Sequence, residues 1–258
     1  TGTWLARFTG RRFGWVQNPC PGMIHSLAVP RLGGLAILAA FVLGTVIAFW
    51  RSQVAIDRPT LGLLIGAIAV VGIIVIDDFR SLTPRNKFLG QIAVAAVPIG
   101  FGIRIDGFSN PLGGIIVLPL LIAIPLTLFW IVGMMNALNF VDGVDGLAGG
   151  VAVIAAVVLV ILSVRLGQYA IATMGLALIG AALGFLPFNF HRASIFMGDS
   201  GAHLLGYLIG VLAIIGGAKI ATALLVLGIP ILDVAWTVLR RLRAGGKFHS
   251  RDTDHLHH

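Results

Sequence analysis

Residues 136–146 read N-A-L-N-F-V-D-G-V-D-G and set Asn136, Asn139, Asp142 and Asp145 at intervals of three in a chain that is otherwise mostly apolar. An ionised carboxylate in a bilayer core costs about 2.5 to 3.5 kcal/mol on the lenient insertion scale, so Asp residues in or beside apolar spans point to function. Three more complete the set. Asp77 and Asp78 close an apolar run in I-D-D-F-R-S-L-T-P-R-N-K-F-L-G-Q, and Asp199 ends F-N-F-H-R-A-S-I-F-M-G-D. All ten acidic residues are Asp, with no Glu. Carboxylates gathered at a low-dielectric rim repel one another unless a cation offsets them, and a divalent metal is the economical answer.

Each segment admits both a chemical and a purely structural reading. On a helix end, adjacent carboxylates point in different directions, so one of Asp77 and Asp78 can serve a metal or abstract a proton while the other holds a neighbour. Arg85 and Lys87 offer phosphate contacts; the alternative is a charged cap followed by basic stop-transfer residues, although a negative charge at a helix C-terminus opposes the dipole. If the 136–146 segment continues a helix, positions three apart drift by about 60° per step and sweep half a cylinder, lining a concave rim. Gly143 and Gly146 then allow close wrapping of an anionic ligand, whereas Asn136 and Asn139 on the structural reading bond neighbouring helices. Asn189 opens the fourth loop, and Phe196 and Gly198 fit a ligand pocket; Asp199 and Ser200 also fit a helix N-cap. His255, His257 and His258 can be zinc ligands, a cloning remnant or, as preferred here, phosphate or sugar contacts. His25 and Arg31 lie in a loop broken by Pro19, Pro21 and Pro30.

These residues must be held by membrane helices. Mean hydropathy is +1.00 and only 11% of residues are charged, against roughly 25% in soluble domains. Eight stretches are long enough to span a hydrocarbon layer as helices, approximately 32–50, 60–77, 88–103, 115–135, 147–164, 168–187, 202–216 and 218–239. The predicted fold is therefore an all-α polytopic membrane helix bundle. A small extracytoplasmic β-hairpin is expected near 103–118, around a turn at Asn110, Pro111 and Gly113. With the N-terminal segment inside, Arg51, Arg58, Arg104, Arg165 and Lys219 fall outside and the other Lys and Arg fall inside, as the positive-inside rule requires. The net charge of +8 thus reads as topology, and nucleic acid is not an expected partner. That threading puts Asp77, Asp78, Asp142, Asp145, Asp199, Asp252 and Asp254 at the cytoplasmic face, Asp233 inside the last span, and Asp57 and Asp106 outside. No P-loop occurs, and Cys20 is a lone cysteine.

P-R-L-G-G at 30–34, the 77–91 and 136–147 segments, F-N-F-H-R-A-S-I-F-M-G-D-S-G at 188–201 and D-T-D-H-L-H-H at 252–258 occur in the order of one family. In nearly its whole length the chain resembles the polyprenyl-phosphate N-acetylhexosamine-1-phosphate transferases, glycosyltransferase family 4. The resemblance implies transfer of a sugar 1-phosphate from a UDP-N-acetylhexosamine to a polyprenyl phosphate in the bacterial plasma membrane, with release of UMP at the cytoplasmic face. The H-L-H-H ending looks like the branch that uses UDP-N-acetylglucosamine and undecaprenyl phosphate, in the first membrane step of wall or surface polysaccharide synthesis. It implies Mg²⁺, with Mn²⁺ as a substitute, held by Asn139 and Asp199. Asp77 would deprotonate or orient the lipid phosphate, supported by Asp78, with Asp199 the third catalytic carboxylate. Asp142 and Asp145 would face the nucleotide, Phe196 would stack near uracil, and Arg85, His255, His257 and His258 would contact sugar or diphosphate; Asn136 and Asn189 complete the substrate-binding set. The chain is read as a single transferase domain over 1–258, the family carrying one span before it and further spans after it, and a homodimer as one option for its assembly. The chain departs from the family at Gln17, Gly22, Met23, Arg192 and Thr253. An ion-coupled carrier is the competing class, requiring carboxylates at the bilayer midplane, and an inactive scaffold of the same fold is the third.

Overall fold

A computed structural model describes residues 3, 16–17, 29–30, 32–80, 82–109, 114–190, 193–217 and 228, with the backbone alone at 16–17, 29–30, 78–80, 109 and 115. A two-residue antiparallel pairing joins β1 (Val16–Gln17) to β2 (Val29–Pro30). Among the described residues seven long helices follow: α1 (Gly33–Arg51), α2 (Arg58–Arg80), α3 (Pro84–Gly100), α4 (Leu120–Val141), α5 (Leu147–Arg165), α6 (Tyr169–Asn189) and α7 (Gly198–Ile215). Between α3 and α4, β3 (Gly107–Ser109) pairs with β4 (Ile115–Val117), Phe108 opposite Ile116. The expected hairpin is therefore present, and its turn residues Asn110, Pro111 and Gly113 lie outside the described residues.

All seven helices answer to predicted apolar stretches, and six of them, all but α3, are long and apolar enough to cross a membrane. The chain is a multi-pass, all-α membrane protein. Of the eighth stretch, 218–239, residue 228 alone is among the described residues, and Asp233 lies outside them. Three helix starts differ by four residues or more from those expected. Helix α3 begins at Pro84 rather than 88 because Thr83 caps it, its Oγ1 accepting from Asn86 N at 3.3 Å with Pro84 in the first turn. Helix α4 begins at Leu120 rather than 115 because 115–117 are taken by β4. Helix α7 begins at Gly198 rather than 202, so Asp199 stands in its first turn; the N-cap is Met197, with no side-chain cap bond, and the capping role considered for Asp199 and Ser200 is not the one they have.

Helix α7 is the axis of the bundle. Of its apolar window 83% is buried, against 50% or less for the other spans, because α1, α2, α4, α5 and α6 all pack against it. Its small residues permit this. A Cβ on Gly206 would stand 2.4 Å from the Met134 carbonyl oxygen, so only glycine lets α4 approach so closely. Short connections reverse the chain between successive spans, bringing the start of α1 and the α2–α3, α4–α5 and α6–α7 connections to one end of the bundle. Backbone bonds lock them there: Gly33 N donates to Phe196 O at 3.2 Å and Gly34 N to Met197 O at 3.1 Å.

Candidate active site

The end of the bundle that collects these connections holds the acidic residues. Asp77, in the last turn of α2, is buried, with a side chain 8% exposed. Its Oδ1 accepts from Leu82 N at 2.9 Å, which fixes the turn into α3, and its Oδ2 receives the Lys87 ammonium at 2.7 Å. Lys87 also reaches Asp199 Oδ2 at 3.3 Å. One cation thus joins carboxylates from α2 and α7. Asp199 is the open member, its side chain 40% exposed. Lys87 precedes the apolar run that starts at Phe88; its hydrogen bond to Asp77 raises the ammonium's pKa, outweighing the opposing effect of burial, so it stays a cation.

Behind this group lies a chain of amides and an imidazole. His203, one turn after Asp199 on α7, has Nδ1 2.7 Å from the Asp199 carbonyl oxygen and Nε2 2.9 Å from Gln91 Nε2. Gln91, one turn after Lys87 on α3, donates to Asn136 Oδ1 at 3.2 Å and accepts from Asn136 Nδ2 at 2.8 Å. The second Asn136 donor goes to Val132 O at 2.7 Å. Gln91 and His203 are both buried. Asn136 therefore makes the interhelical bonds considered for it as a structural residue.

Helix α4 stops at Val141, so the half-cylinder sweep expected of the 136–146 segment is cut short. Asn139 lies half-buried in the last helical turn, Asp142 is the C-cap, and Asp145 sits in the following turn, which Gly146 closes at φ +78° to start α5. This turn is clasped to the α6–α7 connection. Buried Asn189 accepts from Gly146 N at 3.1 Å and donates to Ile195 O at 3.3 Å, and Asp145 Oδ2 accepts from Ala193 N at 3.4 Å. Phe196 is half-buried, its carbonyl holding the start of α1. Arg85 is exposed on the first turn of α3. The Asp78 side chain and His25, Arg31, Asp252, Asp254, His255, His257 and His258 lie outside the described residues.

Lys87 thus bridges Asp77 and Asp199, and a second set of bonds ties the turn that carries Asp145 to the connection that begins at Asn189. From sequence Lys87 is either a phosphate contact or a stop-transfer residue, and neither Gln91 nor His203 stands out. Their signal was present: Lys87 and Gln91 are four apart on α3, Asp199 and His203 four apart on α7, and residues so spaced share a helix face.

Among the described residues no group of three or more His, Cys, Asp or Glu side chains is arranged to hold a metal ion. The donor chemistry nonetheless fits Mg²⁺, which takes few protein ligands, prefers hard oxygens and keeps water or phosphate in its other positions. The carboxylates of Asp77 and Asp199 already share one cation, the Lys87 ammonium, and Asp199 is open enough to admit solvent and a phosphate.

Residues 60–217 match the family model of glycosyl transferase family 4. The chain is 34% identical to a probable undecaprenyl-phosphate N-acetylglucosaminyl 1-phosphate transferase of Bacillus subtilis, over 96% of this chain and 70% of that protein. It is 37% identical to the decaprenyl-phosphate N-acetylglucosaminephosphotransferase of Mycobacterium tuberculosis, over 98% of this chain and 70% of the relative. A phospho-N-acetylmuramoyl-pentapeptide-transferase of Staphylococcus carnosus is 35% identical over 74% of this chain and 64% of its own length.

Proposed function

Because the chain belongs to glycosyl transferase family 4, we propose that it is an enzyme that transfers N-acetylglucosamine 1-phosphate, or a related N-acetylhexosamine 1-phosphate, from the UDP-sugar to undecaprenyl phosphate. An oxygen of the lipid phosphate attacks the β-phosphorus of the donor. The bond from that phosphorus to the bridging oxygen breaks, and UMP leaves with the electron pair. The product is the lipid-linked sugar diphosphate, made at the cytoplasmic face of a bacterial plasma membrane as the first membrane step of a wall or surface polysaccharide.

The observation that carries this reading is the Asp77–Lys87–Asp199 cluster at the end of an apolar bundle, where a soluble nucleotide can meet a lipid head group. Phosphoryl transfer demands positioning and cancellation of charge more than covalent help. Lys87 supplies a fixed positive charge between the two carboxylates. Asp77, buried and oriented by Leu82 N, holds that charge in place and presents an acceptor to the attacking phosphate. Mg²⁺ would be held by Asp199 with Asn139, and when bound it would neutralise phosphate oxygens. Asp142 and Asp145 stand on the turn clasped to the α6–α7 connection and are assigned to the nucleotide, and Phe196 on that connection is assigned to uracil. Arg85 and the terminal histidines His255, His257 and His258 are assigned to sugar and diphosphate, and Asp78 to support of Asp77.

The test uses purified protein with Mg²⁺, undecaprenyl phosphate and radiolabelled UDP-N-acetylglucosamine, scored for lipid-linked label and for UMP. Both should appear together and fall by about 100-fold or more in Asp199→Asn. No product from the wild type, or undiminished product from the variant, would sink the proposed reaction.

A further inference from the structure

The bonds behind Asp199 admit a single assignment of donors and acceptors. Val132 O is an acceptor and nothing else, so the Asn136 amide must turn a donor toward it and present its other N–H to Gln91 Oε1. Gln91 is then fixed with both hydrogens committed, one to Asn136 Oδ1 and one to His203 Nε2. Turning Gln91 over would set its oxygen against Asn136 Oδ1 and two donors against each other. His203 Nε2 must accept, so the proton of the neutral ring lies on Nδ1 and is donated to the Asp199 carbonyl. From a backbone carbonyl of α4 to a backbone carbonyl of α7, every donor meets an acceptor.

We infer that Gln91 and His203, oriented by Asn136, are positioning residues that set the Asp199 turn relative to Asp77. This rests on the transferase reading above. Polar side chains commonly stitch membrane helices together. Here the last bond lands on the main chain of the residue that carries the open carboxylate. Helix α3 packs along α2 and α4, whereas α7 packs against α1, α2, α4, α5 and α6. Helix α3 reaches α7 by two polar arms from one face: Lys87 takes the Asp199 carboxylate, and Gln91, through His203, takes its carbonyl. Two points held on one residue restrict its rotation as well as its distance, as in-line transfer requires.

Two measurements on the intact protein test this separately from the reaction. In ¹⁵N-histidine-labelled wild type, the ring signal that vanishes in His203→Leu should show a protonated Nδ1 and a bare Nε2, and Gln91→Leu should shift that Nε2 signal. A protonated Nε2, or a His203 signal unmoved by Gln91→Leu, overturns the relay whether or not transfer is detected. In the transfer assay, His203→Leu and Gln91→Leu should each lower kcat by about 10- to 100-fold with the donor KM nearly unchanged. The double variant should be no slower than the slower single one. His203→Asn, whose amide can still donate to the Asp199 carbonyl, should keep more activity than His203→Leu. Unchanged kcat in folded single variants, or multiplicative losses in the double, would overturn the positioning role. Absence of product from the wild type would instead fail the transferase reading, with the ring signals still deciding the relay.

Discussion

Lys87 holds carboxylates from two helices that are far apart in sequence, and removing it exposes what each was doing. Lys87→Met leaves Asp77 buried with only the Leu82 N–H to satisfy it, a loss of about 1 to 3 kcal/mol by the usual cost of an unmet buried polar group. Thermal unfolding in detergent should register that drop, and transfer activity should fall much further than the stability loss explains. Asp77→Asn keeps an acceptor for Leu82 N but not the charge, so it should preserve the fold while lowering kcat by about 100-fold or more, measured at saturating donor. At this scale much was legible in the sequence. Acidic residues stand out in an apolar chain, and Asp77, Asp199 and the Asn/Asp series could be placed on one surface. The partners of Asp199 were harder to find. Gln91 and His203 are 112 positions apart, and the bond between them appears only once the bundle brings the start of α3 to the start of α7.

Helices were recognisable from length and hydropathy, whereas their ends were set by single residues that a hydropathy window averages away. Thr83 is the clearest case, starting α3 a full turn earlier than its apolar run and thereby bringing Lys87 into the helix. Thr83→Ala should cost about 1 kcal/mol of stability and loosen the first turn of α3, seen as faster amide exchange at Asn86 and Lys87. Pairing explains another shift, since β4 takes residues whose apolar character alone reads as the start of a helix. The close crossing of α4 on α7 was not legible, because Gly206 resembles any other glycine in a membrane helix. Gly206→Val should separate the two helices and reduce the yield of folded protein in detergent, measured by size-exclusion chromatography.

As a whole the molecule is a bundle built around one buried helix, with its chemistry at one end. That placement separates a transferase from a carrier. The described acidic residues assigned to the proposed site lie at helix ends and in connections at one end of the bundle, instead of along a path through the middle. The overall arrangement followed from composition and charge, because apolar length dictates spans and short connections dictate reversal. The order of the spans around α7 followed from packing alone. The most direct test of the central claim is the fate of the β-phosphorus in UDP-N-acetylglucosamine labelled there with ³²P and incubated with protein, Mg²⁺ and undecaprenyl phosphate. The label should pass to the lipid product while unlabelled UMP is released in equal amount. Label retained in UDP, or absent from the lipid, would contradict sugar-1-phosphate transfer at the Asp77–Lys87–Asp199 site.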